Sequence, residues 1–288
     1  MFYSSCGSRI RLVALATLLC AASGAHAAVV VFNSPAGPPQ SPPEFFSAAM
    51  TGDVERIRGF LTAGVDVNSA LPLPAPNALA ESSNSRTYAG LLLRQGNASA
   101  LMLAAANRQA AAVDALLDAG ANRYASNRTG TRPLDIAAEL GDIAGMQQML
   151  GVRPGSDAAV LSIEVDLRAQ RVTLSRAGIP MITAPISSGR PDKPTPPGTY
   201  VVTQKYKEWR STLYNNASMP WFLRLSCGAV GLHAGQLPGH PASHGCIRLP
   251  AETAKRFFDI VPTGTVVKVI GPETRPSHVV ETARSAAR

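Results

Sequence analysis

The chain has 288 residues, 45% hydrophobic and 16% charged, with a formal net charge of +8 at neutral pH. This excludes a disordered or fibrous chain and leaves apolar material for one large core or two medium ones. The basic residues are spread along the sequence rather than blocked, which argues against a nucleic-acid-binding patch; no nucleic-acid partner is expected.

The first predicted element is an export signal over residues 1–27. Arg9 and Arg11 precede the apolar run "LVALATLLCAASG", which is too short for a comfortable membrane span, and "AHA" supplies the small-x-small pattern of a cleavage site after about Ala27. Leu19 is too bulky to precede a lipidated Cys20, and no later stretch spans a bilayer, so no integral membrane segment is expected after cleavage. Loss of Arg9 and Arg11 leaves a charge of +6, compatible with an anionic polymer as partner or with simple solubility. It also leaves Cys227 and Cys246 as the remaining cysteines. Export permits a disulfide between them. The alternative is one working thiol, with Cys227 buried and inert in a predicted strand.

Residues 28–43, with "NSPAGPPQSPP", read as a Pro-rich linker. A repeat follows over 44–151. Leu101 recurs as Leu134 and Ala104–Ala105 as Ala137–Ala138, an offset of 33 residues, and Ala48–Ala49 stand in an earlier copy. A loop inserted at about 69–92, rich in Pro, Ser and Asn, separates the first copy from the second. Small Ala pairs let two helices approach, and Gly in "LTAGVDVN" and "LLDAGAN" ends a helix. These segments resemble ankyrin repeats. The resemblance implies an all-α stack with a protein-binding or domain-docking face, a generic helical spacer being the alternative.

After Gly151 the period changes to two. "VLSIEVDLRAQRVTLSRAGIPMITAPIS", "PPGTYVVTQKY", "PWFLRLS", "AVGLHAG" and "GTVVKVI" read as strands, and "AETAKRFFDIV" as a helix after Pro250. Residues 157–271 are therefore expected to form a mainly β domain with one or two helices, followed by a loose tail over 272–288. The fold class is a multidomain chain of α and β parts.

Three of the five histidines and Cys246 fall within "GLHAGQLPGHPASHGCIRLP". A metal site is disfavoured, because the order His233, His240, His244, Cys246 has spacings of seven, four and two rather than paired short ones; no metal is expected. A thiol nucleophile fits better. A cysteine thiol is mostly protonated at neutral pH, and an imidazole can take its proton. The turn Ser243-His244-Gly245-Cys246 can aim the N–H groups of Gly245 and Cys246 at a developing oxyanion. His233 ends a predicted strand whose loop returns to Cys246, and Arg248 shares the strand face of Cys246, where it can hold a substrate carboxylate or brace the turn. His240 reads as an exposed loop residue. Tyr206 and Trp209 either line a substrate groove or cap the β core; Trp221 belongs to the core, and residues 205–219 read as a flap.

"HAGQLPGHPASHGCIRLP" resembles the signature of the L,D-transpeptidase catalytic domain, and "SSG" at Ser187–Gly189 and "TPPGTY" at Thr195–Tyr200 resemble two further motifs of that family in the same order. The resemblance covers about residues 160–271. It implies that Cys246 is the nucleophile, His233 the proton donor and acceptor, His244 a residue lining the site, and the Ala234 carbonyl the group that orients the base. It implies peptidoglycan stem peptides as substrate, no cofactor and, with the export signal, a periplasmic location; a further protein partner is expected on the repeats. Transfer to an amine acceptor is the favoured reaction. The alternatives are a wall carboxypeptidase or amidase using water, and a binding protein with an inactive enzyme domain.

Overall fold

The computed structural model describes residues 42–71, 87–212, 215–226 and 230–271. The expected signal, most of the linker, residues 72–86 of the inserted loop, Cys227 and the tail from 272 lie outside the described residues. Among the described residues no helix is long and apolar enough to cross a membrane.

Seven helices make up the helical half among the described residues: α1 (Pro43–Thr51), α2 (Val54–Thr62), α3 (Tyr88–Gln95), α4 (Ala100–Ala106), α5 (Ala110–Asp118), α6 (Pro133–Glu139) and α7 (Ile143–Met149). Four of them start where a side chain satisfies one of the first orphan N–H groups. Asp53 accepts from Arg56, Thr87 from Gly90, Ser99 from Met102 and Asp142 from Gly145. The alanine pairs Ala48–Ala49, Ala104–Ala105 and Ala137–Ala138 are all buried, as close helix packing requires. Helix α3 begins at Tyr88, inside the span expected to be loop up to about residue 92. Its Tyr88, Leu92 and Leu93 side chains pack in the helical core with Leu101, and that burial outweighs the polar composition before it.

The second half is one sheet of eight strands: β1 (Leu161–Asp166), β2 (Arg171–Arg176), β3 (Ile179–Pro185), β4 (Gly198–Tyr206), β5 (Phe222–Leu225), β6 (Gly231–Ala234), β7 (Ile247–Leu249) and β8 (Val266–Ile270). A short helix, α8 (Asp157–Val160), precedes it, and α9 (Ala251–Ile260) follows β7. The spatial order is β3-β2-β1-β8-β4-β5-β6-β7. Alternation carries the pattern: Leu161, Ile163 and Val165 are buried while Ser162 and Glu164 are exposed. Helix α9 buries Ala254 and Phe257 against the strands.

The sheet bends back on itself. Ser187, just beyond β3, exchanges two backbone hydrogen bonds of 3.0 Å with Arg248 of β7. The opposite end of the strand order is thus joined to β7, giving a barrel-like body whose seam lies at the His/Cys cluster. The helical half rests on this body elsewhere. Ala137, Ala138 and Met146 pack on Val201 of β4, and Gln147 Nε2 donates to the Gly264 carbonyl at 3.0 Å.

Candidate active site

Strands β6 and β7 run parallel, with Leu232 opposite Ile247 and His233 opposite Arg248. Cys246 precedes Ile247, so it falls beside Gly231 on the face that carries His233 and Arg248. Gly231 must be glycine here, because a Cβ would lie 2.5 Å from Phe222 Cε2 and 2.6 Å from the Leu223 carbonyl oxygen. His233, Ala234, Ser243, His244, Cys246 and Arg248 line one cavity of about 340 Å³. His233 and Cys246 are thereby gathered into a single site.

The imidazole is fixed. His233 is 6% exposed, and its Nδ1 lies 2.8 Å from the Ala234 carbonyl oxygen. A carbonyl only accepts, so Nδ1 carries the proton and Nε2 keeps its lone pair. Burial pushes the His233 pKa down to about 4; the Ala234 bond opposes this and the Arg248 charge adds to it. Burial also pushes the Cys246 thiol up, against a hydrogen bond from the Gly231 backbone and the charges of Arg248 and Arg224. The resting pair is therefore thiol and neutral imidazole rather than a preformed ion pair. Such a pair can act by general-base attack, the proton leaving sulfur as the bond to carbon forms.

The turn before Cys246 is held from several sides. Gly245 has φ +118°, in the region that favours glycine. Its N–H donates to Ser243 Oγ at 3.0 Å and its carbonyl accepts from Thr195 Oγ1 at 2.9 Å. Ser243 Oγ in turn donates to the Cys246 carbonyl. This corrects the expectation that the Gly245 N–H faces a substrate oxygen: that donor is engaged inside the turn, and Gly245 serves to shape it. The Ser188 carbonyl accepts from the Ala242 and Ser243 N–H groups, so the "SSG" and "TPPGTY" segments brace the turn before Cys246. Ser243→Ala is expected to strand a buried N–H and a buried carbonyl, costing about 2–4 kcal/mol. A lowered melting temperature together with slower alkylation of Cys246 checks it.

Tyr206 and Trp209 are absent from the cavity wall. Tyr206 ends β4 opposite Phe222, and its ring sits 4.5 Å from that of Trp209. Trp209 stacks on Phe222 at 6.1 Å and 13°, and Phe222 lies 6.1 Å from the His233 ring. The register of β4 on β5 puts Tyr206 opposite Phe222, and both aromatics pack with Phe222 beside the imidazole rather than on the cavity wall. The segment expected as a flap folds back at Ser211 N–H to Ala217 O, 2.9 Å, and Met219 N–H to Trp209 O, 2.8 Å. It lends Ser211, Ala217, Ser218 and Met219 to the cavity, residues that no local motif announces. His240 is exposed, its carbonyl accepting from Ser187 Oγ at 2.8 Å. Among the described residues no group of three or more His, Cys, Asp or Glu side chains gathers as a metal site.

Comparison with known proteins falls on this same half of the chain. Residues 161–269 match the YkuD family model, the L,D-transpeptidase catalytic domain. The matched domain holds His233, Cys246 and the bracing segments. L,D-transpeptidase 1 of Mycobacterium tuberculosis is 30% identical over 121 residues, covering 36% of this chain and 48% of the relative. The chain thus spans about half the length of the curated relatives it matches. A solved structure of the same Mycobacterium tuberculosis protein aligns at 28% identity and TM-score 0.34, covering 39% of this chain and 62% of that one. An L,D-transpeptidase from Mycobacterium smegmatis aligns at 24% identity and TM-score 0.37, covering 38% and 58%. The helical half lies outside the matched span.

Proposed function

We propose that the protein is a peptidoglycan L,D-transpeptidase. The observation that carries this reading is one cavity lined by Cys246 and by a His233 whose Nδ1 is tied to the Ala234 carbonyl. The donor is a stem tetrapeptide. Cys246 sulfur attacks the carbonyl carbon that precedes the terminal D-alanine, while His233 Nε2 takes the thiol proton. The carbon–nitrogen bond then breaks, and the imidazolium returns that proton to the departing D-alanine amine. An acceptor amine attacks the thioester, loses a proton through His233, and releases the cysteine as thiol. Arg248, on the same wall, suits a substrate carboxylate. The site asks for no cofactor in these steps.

The export signal and the wall substrate together favour the periplasm, and the paired helices favour an ankyrin-like face for a protein partner. Incubation of the mature chain with disaccharide-tetrapeptide, followed by product masses, tests the reading. Cross-linked dimers with D-alanine release are expected. D-alanine release alone makes water the acceptor, and an unchanged substrate overturns the assignment.

A further inference from the structure

A second cavity, of about 420 Å³, opens between the helical half and the sheet. Arg123 and Tyr124 reach it from the loop after α5, Arg132 and Asp135 from the start of α6, and Gln204 and Arg224 from β4 and β5. Three guanidinium groups thus face one carboxylate. Arg132 holds Asp135 through two bonds, Nε to Oδ2 at 2.9 Å and Nη2 to Oδ1 at 2.8 Å. Arg123 Nη1 donates to the Met149 carbonyl at 2.8 Å. Two positive charges remain uncompensated by any carboxylate on the wall. The Arg224 guanidinium is centred 5.0 Å from the Trp209 ring and 5.6 Å from that of Phe222. Its Nε is buried and has no hydrogen-bond partner among the described residues. Arg224 is half-buried, and a cationic group with an unsatisfied donor is an arrangement that a nearby anion relieves.

Arg224 also belongs to the catalytic face. It pairs with Gly231 across β5 and β6, and Gly231 is the neighbour of Cys246. We propose that this cavity is a second ligand site for a small oxyanion, a phosphate or carboxylate group, and that the bound group shares Arg224 with Cys246. Occupancy then cancels part of the positive charge that favours the thiolate, and so slows the thiol. The site is thereby suited to inhibition by an anion that never enters the catalytic cleft. The proposal concerns the thiol alone and stands whether or not transfer is the reaction.

The test uses the full chain. Inorganic phosphate in one arm and succinate in the other are titrated by calorimetry, and alkylation of Cys246 by iodoacetamide is followed by peptide-resolved mass. Saturable binding of either anion, with alkylation slowed by about threefold or more, is expected from removal of a nearby charge. Binding of phosphate only or of succinate only names the source of the oxyanion. Gln204→Glu is isosteric at an exposed position of the cavity wall, so it keeps the fold while placing a carboxylate among the guanidiniums. It is expected to weaken binding about tenfold. Arg132→Gln provides a second variant with the same expected direction. Failure of both anions to bind, or binding that Gln204→Glu leaves unchanged, overturns the proposal, as does binding with unchanged alkylation.

Discussion

Cys246→Ala is expected to lower D-alanine release from a tetrapeptide stem by at least about a thousandfold, as removal of a covalent nucleophile does in other acyl transfer enzymes. Its melting temperature should stay close to that of the parent. The two outcomes separate because of what surrounds the sulfur. The thiol is neutral at rest, so its loss strands no charge, and the turn that carries it is held by Ser243 and Thr195 through the Gly245 and Cys246 backbone. Cys246→Ser should not rescue, since an alcohol is far harder to deprotonate than a thiol in the same pocket. Release rates measured on folded, circular-dichroism-matched variants decide the matter. A Cys246→Ala protein that still releases D-alanine at a parental rate removes sulfur from the mechanism.

The neutrality of the pair also bears on how the site is switched on. Burial raises the thiol and lowers the imidazole, so neither group is charged before substrate arrives. In the proposed reaction, activation waits for a carbonyl placed near sulfur, when proton transfer to Nε2 and carbon–sulfur bond formation occur together. Arg248 and Arg224 supply positive potential on the thiol's side of the sheet. Arg224 does so with its guanidinium packed against the Trp209 and Phe222 rings.

What the sequence disclosed about this site follows from the range of the interactions involved. His233, Gly245 and Cys246 sit within fourteen consecutive residues, and the nucleophile turn is a local structure. The alternation of Leu161, Ile163 and Val165 likewise marks a strand without knowledge of its partners. The use made of the Gly245 N–H was not legible, because it depends on the rotamer of Ser243, two residues back. Nor was the placement of Tyr206 and Trp209. Both flank the cleft in sequence, yet Tyr206 is placed by its pairing with Phe222 and Trp209, beyond the end of β4, by stacking on that same ring of another strand. The bracing of the turn by Ser188 and Thr195 spans about fifty residues; the motifs around them marked the positions but not the hydrogen bonds. The second cavity draws on the helical half and on two strands at once, and no window of sequence contains it.

His233→Gln is expected to lower the rate by about a hundredfold to ten-thousandfold, the range for loss of a general base, with a distinct dependence on pH. The folded imidazole has its pKa near 4, below the value of about 6.5 for an unperturbed histidine. The base therefore stays competent in mild acid. The parent should keep its activity from neutral pH down to about 5 and lose it on a limb centred near 4, while the variant's residual rate lacks that limb. The same shift acts on stability. The unfolded chain binds a proton at His233 below about 6.5, and the folded chain refuses it until about 4, so the parent's stability is fully present above 6.5 and falls as pH drops through that window. By pH 4 this single group removes about 3 kcal/mol, which the glutamine variant does not lose. Urea unfolding of both proteins at pH 7 and pH 4.5 reads the difference. A gap that stays constant with pH means that the imidazole is solvated in the folded state, and the neutral pair would then have to be given up.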